Sequence, residues 1–216
     1  MVIPLHKGGE HDSYDRWRPI TLVACMGKVF ESLLLGRSRQ LLDSQLCNSQ
    51  AGFRWGSDAH VWCLFEAARL FRADHGRRPL FATFVDIRKA YDTIWRHGAA
   101  HKLLQKTGPT FEWHGFWALL RPNRTRVRLP TGDTPPWEDT VGLQQGRVSA
   151  PFKFLVFIDD LAEELRTRVP KVRVMRAPAV PSSLLFAGDL LFAQRRQTMR
   201  ATRPAHRGAL GAEGGT

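Results

Sequence analysis

LFATFVDIRKAYD, at residues 80–92, predicts a strand that runs into a helix and carries an acid at the junction. Residues 80–85 are apolar or small and uncharged, a pattern typical of a short strand buried on both faces. The strand ends on Asp86, and a helical pattern runs over residues 88–105. A carboxylate at such a junction is costly to bury without a strong partner. A divalent cation is one such partner, and an N-cap of the following helix is the alternative.

A second acid follows a hairpin signal near the end of the chain. Residues 183–194 read SLLFAGDLLFAQ, so that two apolar runs flank the pair Gly188-Asp189. Such a pair predicts a hairpin that presents Asp189 at its tip, with glycine at the first central position of the turn. Between the two acidic stretches, GLQQGRVSAPFKF at residues 142–154 combines turn residues with Pro151, which is placed to open an amphipathic helix.

These stretches resemble the reverse transcriptase domain of non-LTR retrotransposons. Five segments match the family's motifs in the family's order and cover roughly residues 2–194. They are the finger blocks YDRWRPITLVACMGKVFESLL (14–34) and QAGFRWGSDAH (50–60), the first catalytic motif FVDIRKAYDTIW (84–95), the template- and nucleotide-supporting motif GLQQGRVSAPFKFLVFIDDL (142–161), and LLFAGDLLF (184–192), a hairpin that normally reads Ala-Asp-Asp. Each motif alone is weak, whereas five in order at plausible spacing are a strong signal.

The resemblance implies an α+β fold built from the fingers and palm of a reverse transcriptase. An antiparallel palm sheet should carry helices on one face. We expect a fingers-like subdomain at residues 1–75, a palm-like subdomain with the catalytic motifs at residues 76–194, and a disordered tail at residues 195–216. The tail is rich in arginine, alanine and glycine without apolar periodicity. It does not resemble the family's continuation, so a thumb is expected to be absent.

The implied activity is RNA-directed DNA synthesis by two-metal nucleotidyl transfer. Two Mg²⁺ ions, with Mn²⁺ as an alternative, would stabilise the attacking and leaving oxygens when a primer 3′-hydroxyl attacks a nucleotide. The resemblance makes Asp86 and Asp189 the catalytic and metal-binding residues, and the palm sheet should place them side by side. Gly188 stands where the family has the first hairpin acid. This copy is therefore expected to be impaired.

Four other positions match family residues that hold the incoming nucleotide. A lysine and an arginine at the places of Lys7 and Arg18 hold the triphosphate, because phosphate needs cations in a partly dry cleft. An aromatic ring at the place of Tyr91 stacks under the sugar and leaves no room for a 2′-hydroxyl, although periodicity alone favours a core tyrosine. Gln145, in the template-supporting motif, is the fourth expected nucleotide-binding residue.

The charge of the chain predicts a nucleic-acid partner. A net charge of +12 over 216 residues favours a polyanion. RTRVRLP predicts a strand with Arg124, Arg126 and Arg128 on one face, either a phosphate track or a charge-protected edge. The expected partners are an RNA or DNA template with its primer and deoxynucleoside triphosphates. No apolar run is long enough to span a membrane.

Several structural expectations complete the analysis. Periodicity and breakers predict helices over residues 27–46, 58–74, 111–120 and 151–168. Asp159 and Asp160 lie in the last of these and are expected at its surface, because neighbours on a helix point about 100° apart. Gln144 and Arg147 depart from the family's usual residues and favour a decayed copy. Three distant cysteines indicate a reducing compartment. The sequence leaves open whether this intracellular location is the nucleus or the cytoplasm.

Two other classes of function stay open at this stage. A nucleic-acid-binding remnant without catalysis would keep the basic face and lose the metal pair. A basic structural or interaction protein would carry a palm-like core only by coincidence, and the ordered motifs around the acids argue against it.

Overall fold

A computed structural model of the chain describes residues 1–54, 68–69, 81–168 and 183–194, without the side chains of residues 82, 193 and 194. The helix predicted over residues 58–74 lies outside these ranges except at residues 68 and 69, which are helical. The predicted tail at residues 195–216 also lies outside them. The described chain mixes helices with antiparallel strands, which confirms the α+β class.

The chain begins with an antiparallel hairpin. Strand β1 (Val2–His6) pairs with β2 (Trp17–Thr21), and a single turn of 3-10 helix, Tyr14–Arg16, leads into β2. The register sets Leu5 opposite Arg18. Since Lys7 directly follows β1, its side chain and that of Arg18 begin from neighbouring positions on the two strands.

Four helices form most of the described core. They are α1 (Cys25–Ser44), α2 (Arg96–Thr107), α3 (Phe111–Leu120) and α4 (Ala150–Arg168). Three of the predicted helices are thereby confirmed within two residues at each end. Thr110 caps α3, because its hydroxyl oxygen accepts a hydrogen bond of 3.2 Å from the Trp113 backbone N–H.

The helix expected directly after Asp86 begins later than predicted. Residues 88–93 form turns, and helix α2 starts only at Arg96. Lys89 has φ 53°, a left-handed conformation that cannot continue a helix, and its carbonyl accepts from the N–H groups of Asp92 and Thr93. A local turn therefore replaces the first helical turns that the sequence pattern indicated.

The core lies between α4 and the other helices. Phe154 and Leu155 of α4 pack with Leu34 of α1, Leu103 of α2 and Phe116 of α3, all at most 2% exposed. Helix α2 packs against both α3 and α4. Because α4 is surrounded by these neighbours, it holds the segments on either side of it in fixed positions.

Asp159 of α4 does not lie at the surface, so the prediction for this residue is wrong. Its carboxylate accepts hydrogen bonds from the Cys47 backbone N–H at 2.7 Å and from Lys106 Nζ at 2.8 Å. Asp160 is exposed, as predicted, and pairs with Lys102 at 2.7 Å. Asp159 is buried because α2 and the loop after α1 offer it two donors, which the helical pattern could not reveal.

A three-stranded antiparallel sheet carries the two acidic motifs. Strand β3 (Phe81–Asp86) pairs with β9 (Asp189–Gln194), which in turn pairs with β8 (Ser183–Phe186). The short strands β4 (Asn123–Thr125) with β7 (Trp137–Asp139), and β5 (Arg128–Leu129) with β6 (Gly132–Asp133), form two further ribbons. The sheet order β3-β9-β8 places the last described strand in the middle.

The prediction that β3 is buried on both faces is wrong. Phe84 is 77% exposed and Phe81 is 44% exposed. Among the described residues β3 is an edge strand with β9 on one side, so its run of apolar residues is not enclosed. In the described part of the chain, no helix has the length and apolar character needed to cross a bilayer.

Candidate functional site

The two acids lie opposite one another at the end of the sheet. The register of β3 and β9 pairs Asp86 with Asp189. Cross-strand partners in an antiparallel pair have Cα atoms about 4.5–5.5 Å apart and side chains on the same face. Both residues are exposed, so their carboxylates are accessible to an ion. The sheet thus sets Asp86 and Asp189 side by side, as the family resemblance implied.

The hairpin turn differs from the prediction. The turn residues are Ala187 and Gly188, and Asp189 is the first residue of β9, not the tip. The left-handed residue is Ala187, with φ 56°, whereas Gly188 has no positive φ. Pairing of Asp189 with Asp86 draws it into the strand, and the Ile87 N–H extends the pairing by donating to the Gly188 carbonyl at 3.0 Å. Gly188 therefore relieves no backbone strain.

There is room for a side chain at position 188. A Cβ there would lie 3.4 Å from Ala90 Cβ and 3.9 Å from Ile87 Cβ and Phe154 Cζ, which are ordinary van der Waals distances. Its neighbours Ile87 and Ala90 belong to the segment that follows Asp86. An acid at position 188 would therefore emerge beside the Asp86 end of β3.

The loop before the undescribed residues 55–67 supports the hairpin from behind. Gln50, which is fully buried, uses Oε1 to accept hydrogen bonds from the backbone N–H groups of Gly52 (3.0 Å) and Ala187 (3.1 Å). Ser49 and Ala51 exchange backbone hydrogen bonds of 2.7–2.8 Å with Leu185 in β8. At Gly52 a Cβ would overlap the backbone nitrogen of Ala187, so only glycine fits this approach.

Arg54 fixes that supporting loop. Its guanidinium donates to the Asp43 carboxylate and to the backbone carbonyls of Cys47 and Gln50, at 2.9–3.0 Å. The sequence assigned this block, QAGFR, to a finger motif but did not predict its contact with the hairpin. The only signal in the sequence was the close spacing of an amide, a glycine and an arginine, Gln50, Gly52 and Arg54.

A cleft of about 510 Å³ opens beside Asp86. All four residues expected to hold a nucleotide line it together with Asp86, although Asp189 does not. The remaining lining comes from the N-terminal hairpin and from the turn after β3. The lining residues are Lys7, Asp15, Trp17, Arg18, Asp86, Arg88, Lys89, Ala90, Tyr91, Asp92 and Gln145.

Tyr91 belongs both to the core and to the cleft wall. Its ring stacks on Phe154 with centroids 5.0 Å apart, and burial raises the pKa of Tyr91 to about 12. The phenol is therefore neutral at ordinary pH. Gln145 also lines the cleft and is held by two hydrogen bonds. Its side-chain Nε2 donates to the Asp92 carboxylate at 2.9 Å, and its backbone carbonyl accepts from the Thr21 N–H at 2.6 Å.

An ion cluster that the sequence did not predict lies at the rim of the cleft. Asp15 accepts from Arg88 at 2.6 Å through one carboxylate oxygen and from Lys89 at 2.7 Å through the other. The hydrogen bonds from Lys89 and Arg88 hold the pKa of Asp15 below its usual value. No sequence pattern links these residues, because the contact joins the N-terminal hairpin to the turn after β3.

The loop between β7 and α4 is stabilised by a buried polar network. Arg147 pairs with Glu31 at 2.6 Å and donates to Gln144 at 2.6 Å, and Gln144 donates to Asp139 at 2.9 Å. Burial raises the pKa of Glu31, but hydrogen bonds from Ser149 and Arg147 outweigh it and hold the pKa below its usual value. Gln144 and Arg147 thus fix the loop, so their presence is not by itself a sign of decay.

The three arginines do not form one face of one strand, so that prediction is wrong. Arg124 lies in β4 opposite Glu138, Arg126 lies between strands, and Arg128 lies in β5. Arg128 is ion-paired with Asp133 at 3.1 Å. Short ribbons replace the single strand because the chain turns at residues 130–131 and pairs with itself. Whether any of these arginines binds nucleic acid stays a prediction.

The carboxylates near the cleft do not form a group of three. Across the residues that the structure describes, no set of three or more His, Cys, Asp or Glu side chains is arranged to hold a metal ion. Asp86 and Asp189 form a pair of suitable oxygen ligands for a hard divalent cation. Position 188, where a third oxygen would be expected, carries only hydrogen.

Comparison with known proteins identifies the family. The reverse transcriptase (RNA-dependent DNA polymerase) family model matches residues 5–202. The chain belongs to this family, and its relatives are proteins of non-LTR retrotransposons, which confirms the resemblance drawn from the motifs.

Three relatives show how the match is distributed. The chain is 26% identical over 163 residues to a probable RNA-directed DNA polymerase from transposon BS of Drosophila melanogaster, covering 74% of this chain and 18% of that protein. It is 28% identical over 170 residues to a putative 115 kDa protein of the type-1 retrotransposable element R1DM of the same fly, covering 76% and 16%. It is 24% identical over 198 residues to a retrovirus-related Pol polyprotein of element R2 from Popillia japonica, covering 91% and 27%.

The chain therefore spans only a minor part of the length of these relatives. Among solved structures, telomerase from Candida albicans in complex with a TWJ fragment of telomeric RNA is 10% identical, with a TM-score of 0.48. That match covers 78% of this chain and 30% of the telomerase chain.

Proposed function

We propose that this chain is the nucleotide-binding part of a retroelement reverse transcriptase, with a metal site that lacks one carboxylate. The observation that carries the proposal is the cleft beside the Asp86–Asp189 pair. Lys7 and Arg18 come from the N-terminal hairpin, Tyr91 from the turn after β3 and Gln145 from the loop before α4. All four line this cleft. Family membership gives the cleft its proposed ligand, a deoxynucleoside triphosphate.

The proposal divides the molecule into two parts with different roles. The N-terminal hairpin and α1 would act as fingers and contribute Lys7 and Arg18. The three-stranded sheet with α2, α3 and α4 would act as the palm and present Asp86 and Asp189. The cleft lies where the hairpin faces the turn after β3, so closure of one part on the other would enclose a ligand.

Four residues of the cleft have a proposed task in binding the nucleotide. Lys7 and Arg18 would bind phosphate oxygens, because cationic donors make short, charge-assisted hydrogen bonds to phosphate. Tyr91 would stack under the sugar of the nucleotide. Stacking on Phe154 fixes the orientation of its ring. Gln145, held by Asp92 and Thr21, would orient the nucleotide against the template.

Asp86 and Asp189 would hold a divalent cation, for which Mg²⁺ is the proposed identity. When bound, the ion would lower the pKa of the primer hydroxyl and offset charge on the phosphate. Two carboxylates on one face of a sheet suit one ion better than two, because close cations need several anions to offset their repulsion. Synthesis by the chain as it stands is proposed to be slow for this reason.

The alternative is a nucleic-acid-binding remnant without catalysis, and it is not the function that we favour. It rested on the loss of one hairpin acid at Gly188 and on the persistence of the arginines, which lie on separate short strands. The coincidental basic protein is excluded by membership of the family.

Titration with dTTP and Mg²⁺ tests the proposed function. We expect the double substitution Lys7→Ala with Arg18→Ala to weaken binding by about tenfold or more, because it removes two charge-assisted phosphate contacts. The matched control, Lys28→Ala with Arg121→Ala, removes the same charge from exposed residues outside the cleft. Equal losses in the two variants would show that net charge, and not the cleft, binds the nucleotide.

A further inference from the structure

Asp15 accepts hydrogen bonds from cationic side chains that line the candidate nucleotide site. Its two carboxylate oxygens bind different partners, Arg88 at 2.6 Å and Lys89 at 2.7 Å. Its backbone carbonyl accepts from Lys7 Nζ at 3.0 Å. One residue of the 3-10 turn Tyr14–Arg16 thus engages three cations that line the cleft.

This arrangement resembles the one that a phosphate group would adopt. An anion with two oxygens bound by an arginine and a lysine is the usual geometry of charge-assisted phosphate recognition. Arg18 lies on the same cleft wall, and no hydrogen bond or ion pair of its guanidinium occurs within the described residues. The cleft therefore contains an internal anion beside the place where an external polyanion would bind.

The contacts of Asp15 are suited to exchange. The side chains of Arg88, Lys89 and Asp15 are 80%, 51% and 46% exposed, respectively. Exposed ion pairs contribute little to stability because solvent screens them and their long side chains lose entropy. A polyphosphate carries several charges and more acceptor oxygens than one carboxylate, so it can displace Asp15 without breaking a buried contact.

The other two acids that line the cleft, Asp86 and Asp92, differ from Asp15 in their partners. Asp92 accepts from Gln145, and Asp86 lies opposite Asp189 on the sheet. Among the cleft acids, Asp15 alone is ion-paired with cations of the cleft wall, as judged over the described residues. Asp15 thereby supplies the negative counter-charge for Arg88 and Lys89 in the absence of ligand.

We propose that Arg88 and Lys89 are additional ligands for the polyphosphate of the substrate, and that Asp15 holds them in place until the polyphosphate displaces it. This inference rests on the proposed function, because it takes the cleft as the nucleotide site. Release of Asp15 would also free the 3-10 turn from the segment after Asp86. Substrate binding and the position of the N-terminal hairpin are therefore coupled.

A purely structural role for Asp15 predicts the opposite effect of its removal. If the ion cluster only fastened the hairpin, Asp15→Asn would loosen the cleft and weaken ligand binding. If Asp15 competes with the ligand, Asp15→Asn frees Arg88 and Lys89 and strengthens binding. The direction of the change therefore distinguishes the two roles.

Calorimetric titration with inorganic tripolyphosphate, and in parallel with dTTP and Mg²⁺, provides the test. We expect Asp15→Asn to tighten tripolyphosphate binding about three- to tenfold, and Arg88→Ala with Lys89→Ala to weaken it about tenfold. Adding Asp15→Asn to the Arg88–Lys89 double variant should then have no effect, since the residues act as one unit. Asp12→Asn, an exposed acid of the same loop, is the matched control and should leave affinity unchanged.

The outcomes separate the inference from the proposed function. If Lys7→Ala with Arg18→Ala weakens binding while Asp15→Asn leaves it unchanged or weaker, the inference is overturned and the nucleotide site stands. If the unmodified chain and Asp15→Asn both fail to bind tripolyphosphate and dTTP, both fail. Circular dichroism and thermal midpoints matched to Asp12→Asn confirm that each variant is folded.

Discussion

A side chain at position 188 has both space and a relaxed backbone, although the residue there is glycine. The nearest atoms to a Cβ are 3.4 Å away, and the left-handed residue of the turn is Ala187. Substitution by aspartate therefore places a third carboxylate near Asp86 and Asp189 without rebuilding the hairpin.

We expect Gly188→Asp to increase Mg²⁺ and Mn²⁺ affinity and to accelerate single-nucleotide addition. A preorganised electrostatic partner in a charge-stabilised transition state is worth about 3–4 kcal/mol, or two to three powers of ten in rate. In EDTA the same variant should be less stable, because three acids then repel one another.

Gly188→Asn is the matched control, since it has the same size and no charge. Metal affinity measured by titration and the rate measured by single-turnover extension should rise in the aspartate variant alone. Robust synthesis by the unmodified chain would mean that Asp86 and Asp189, or another acid, already complete the metal site.

At the scale of elements, the supporting loop and the hairpin act as one unit. Gln50 Oε1 satisfies the N–H groups of Gly52 and Ala187, whereas its Nε2 is buried and has no hydrogen-bond partner among the described residues. The oxygen of this side chain therefore carries the interaction, and the nitrogen contributes none.

We expect Gln50→Ala to destabilise the protein by about 3 kcal/mol, because it leaves the buried N–H of Gly52 and the partly buried N–H of Ala187 without acceptors. Gln50→Glu retains an acceptor oxygen at this site and should cost less. Urea unfolding curves at neutral pH measure both changes. Equal destabilisation by the two substitutions would show that packing, not the acceptor, is what Gln50 provides.

The arrangement of the strands, turns and helices shows how far the sequence predicts the structure. The pairing of Asp86 with Asp189 and the sharing of one cleft by Lys7 and Arg18 followed from the order of the family's motifs. Helix ends were also close, because apolar periodicity is a local property. The turn at Ala187 was missed because it depends on the pairing of Asp189 with Asp86. The late start of α2 was missed because Lys89 is left-handed, a conformation that lysine rarely adopts and that its residue type does not predict.

Other contacts could not be predicted because they join distant parts of the chain. The ion cluster of Asp15 with Arg88 joins residues 73 positions apart, and the pair of Arg147 with Glu31 joins residues 116 positions apart. Charge alone gives no partner for such residues. The predicted arginine face failed for a related reason, since the register of short ribbons is set by their turns.

At the scale of the whole molecule, one buried cation should govern the response to pH. Lys153 of α4 is 1% exposed, and burial lowers its pKa from 10.5 to about 7. Glu31 opposes the shift, whereas Arg147 and Arg96 add to it. The folded state therefore binds this proton less readily than the unfolded state.

The sign of the effect follows from linkage. Between pH 7 and pH 10.5 the unfolded chain carries the proton and the folded chain does not, so the free energy of unfolding rises with pH in this window. The full change attributable to Lys153 is roughly 4–5 kcal/mol. Below pH 7 its contribution is constant.

We expect Lys153→Met to be more stable than the unmodified chain at neutral pH and to lack most of this dependence. Urea denaturation at several pH values, with Lys28→Met as an exposed control, measures the difference. Parallel pH curves for the unmodified chain and Lys153→Met would contradict the assignment to Lys153.

The position of β9 in the sheet has a consequence for how the protein is made. It is the last described strand to be synthesised, yet it lies between β3 and β8. Gln50 must likewise wait for Ala187, which is 137 positions later in the chain. Contacts of such long range form slowly because the loop must close first. Until β9 arrives, β3 presents unpaired backbone groups and exposed Phe81 and Phe84, which is where pairing with a neighbouring chain would begin.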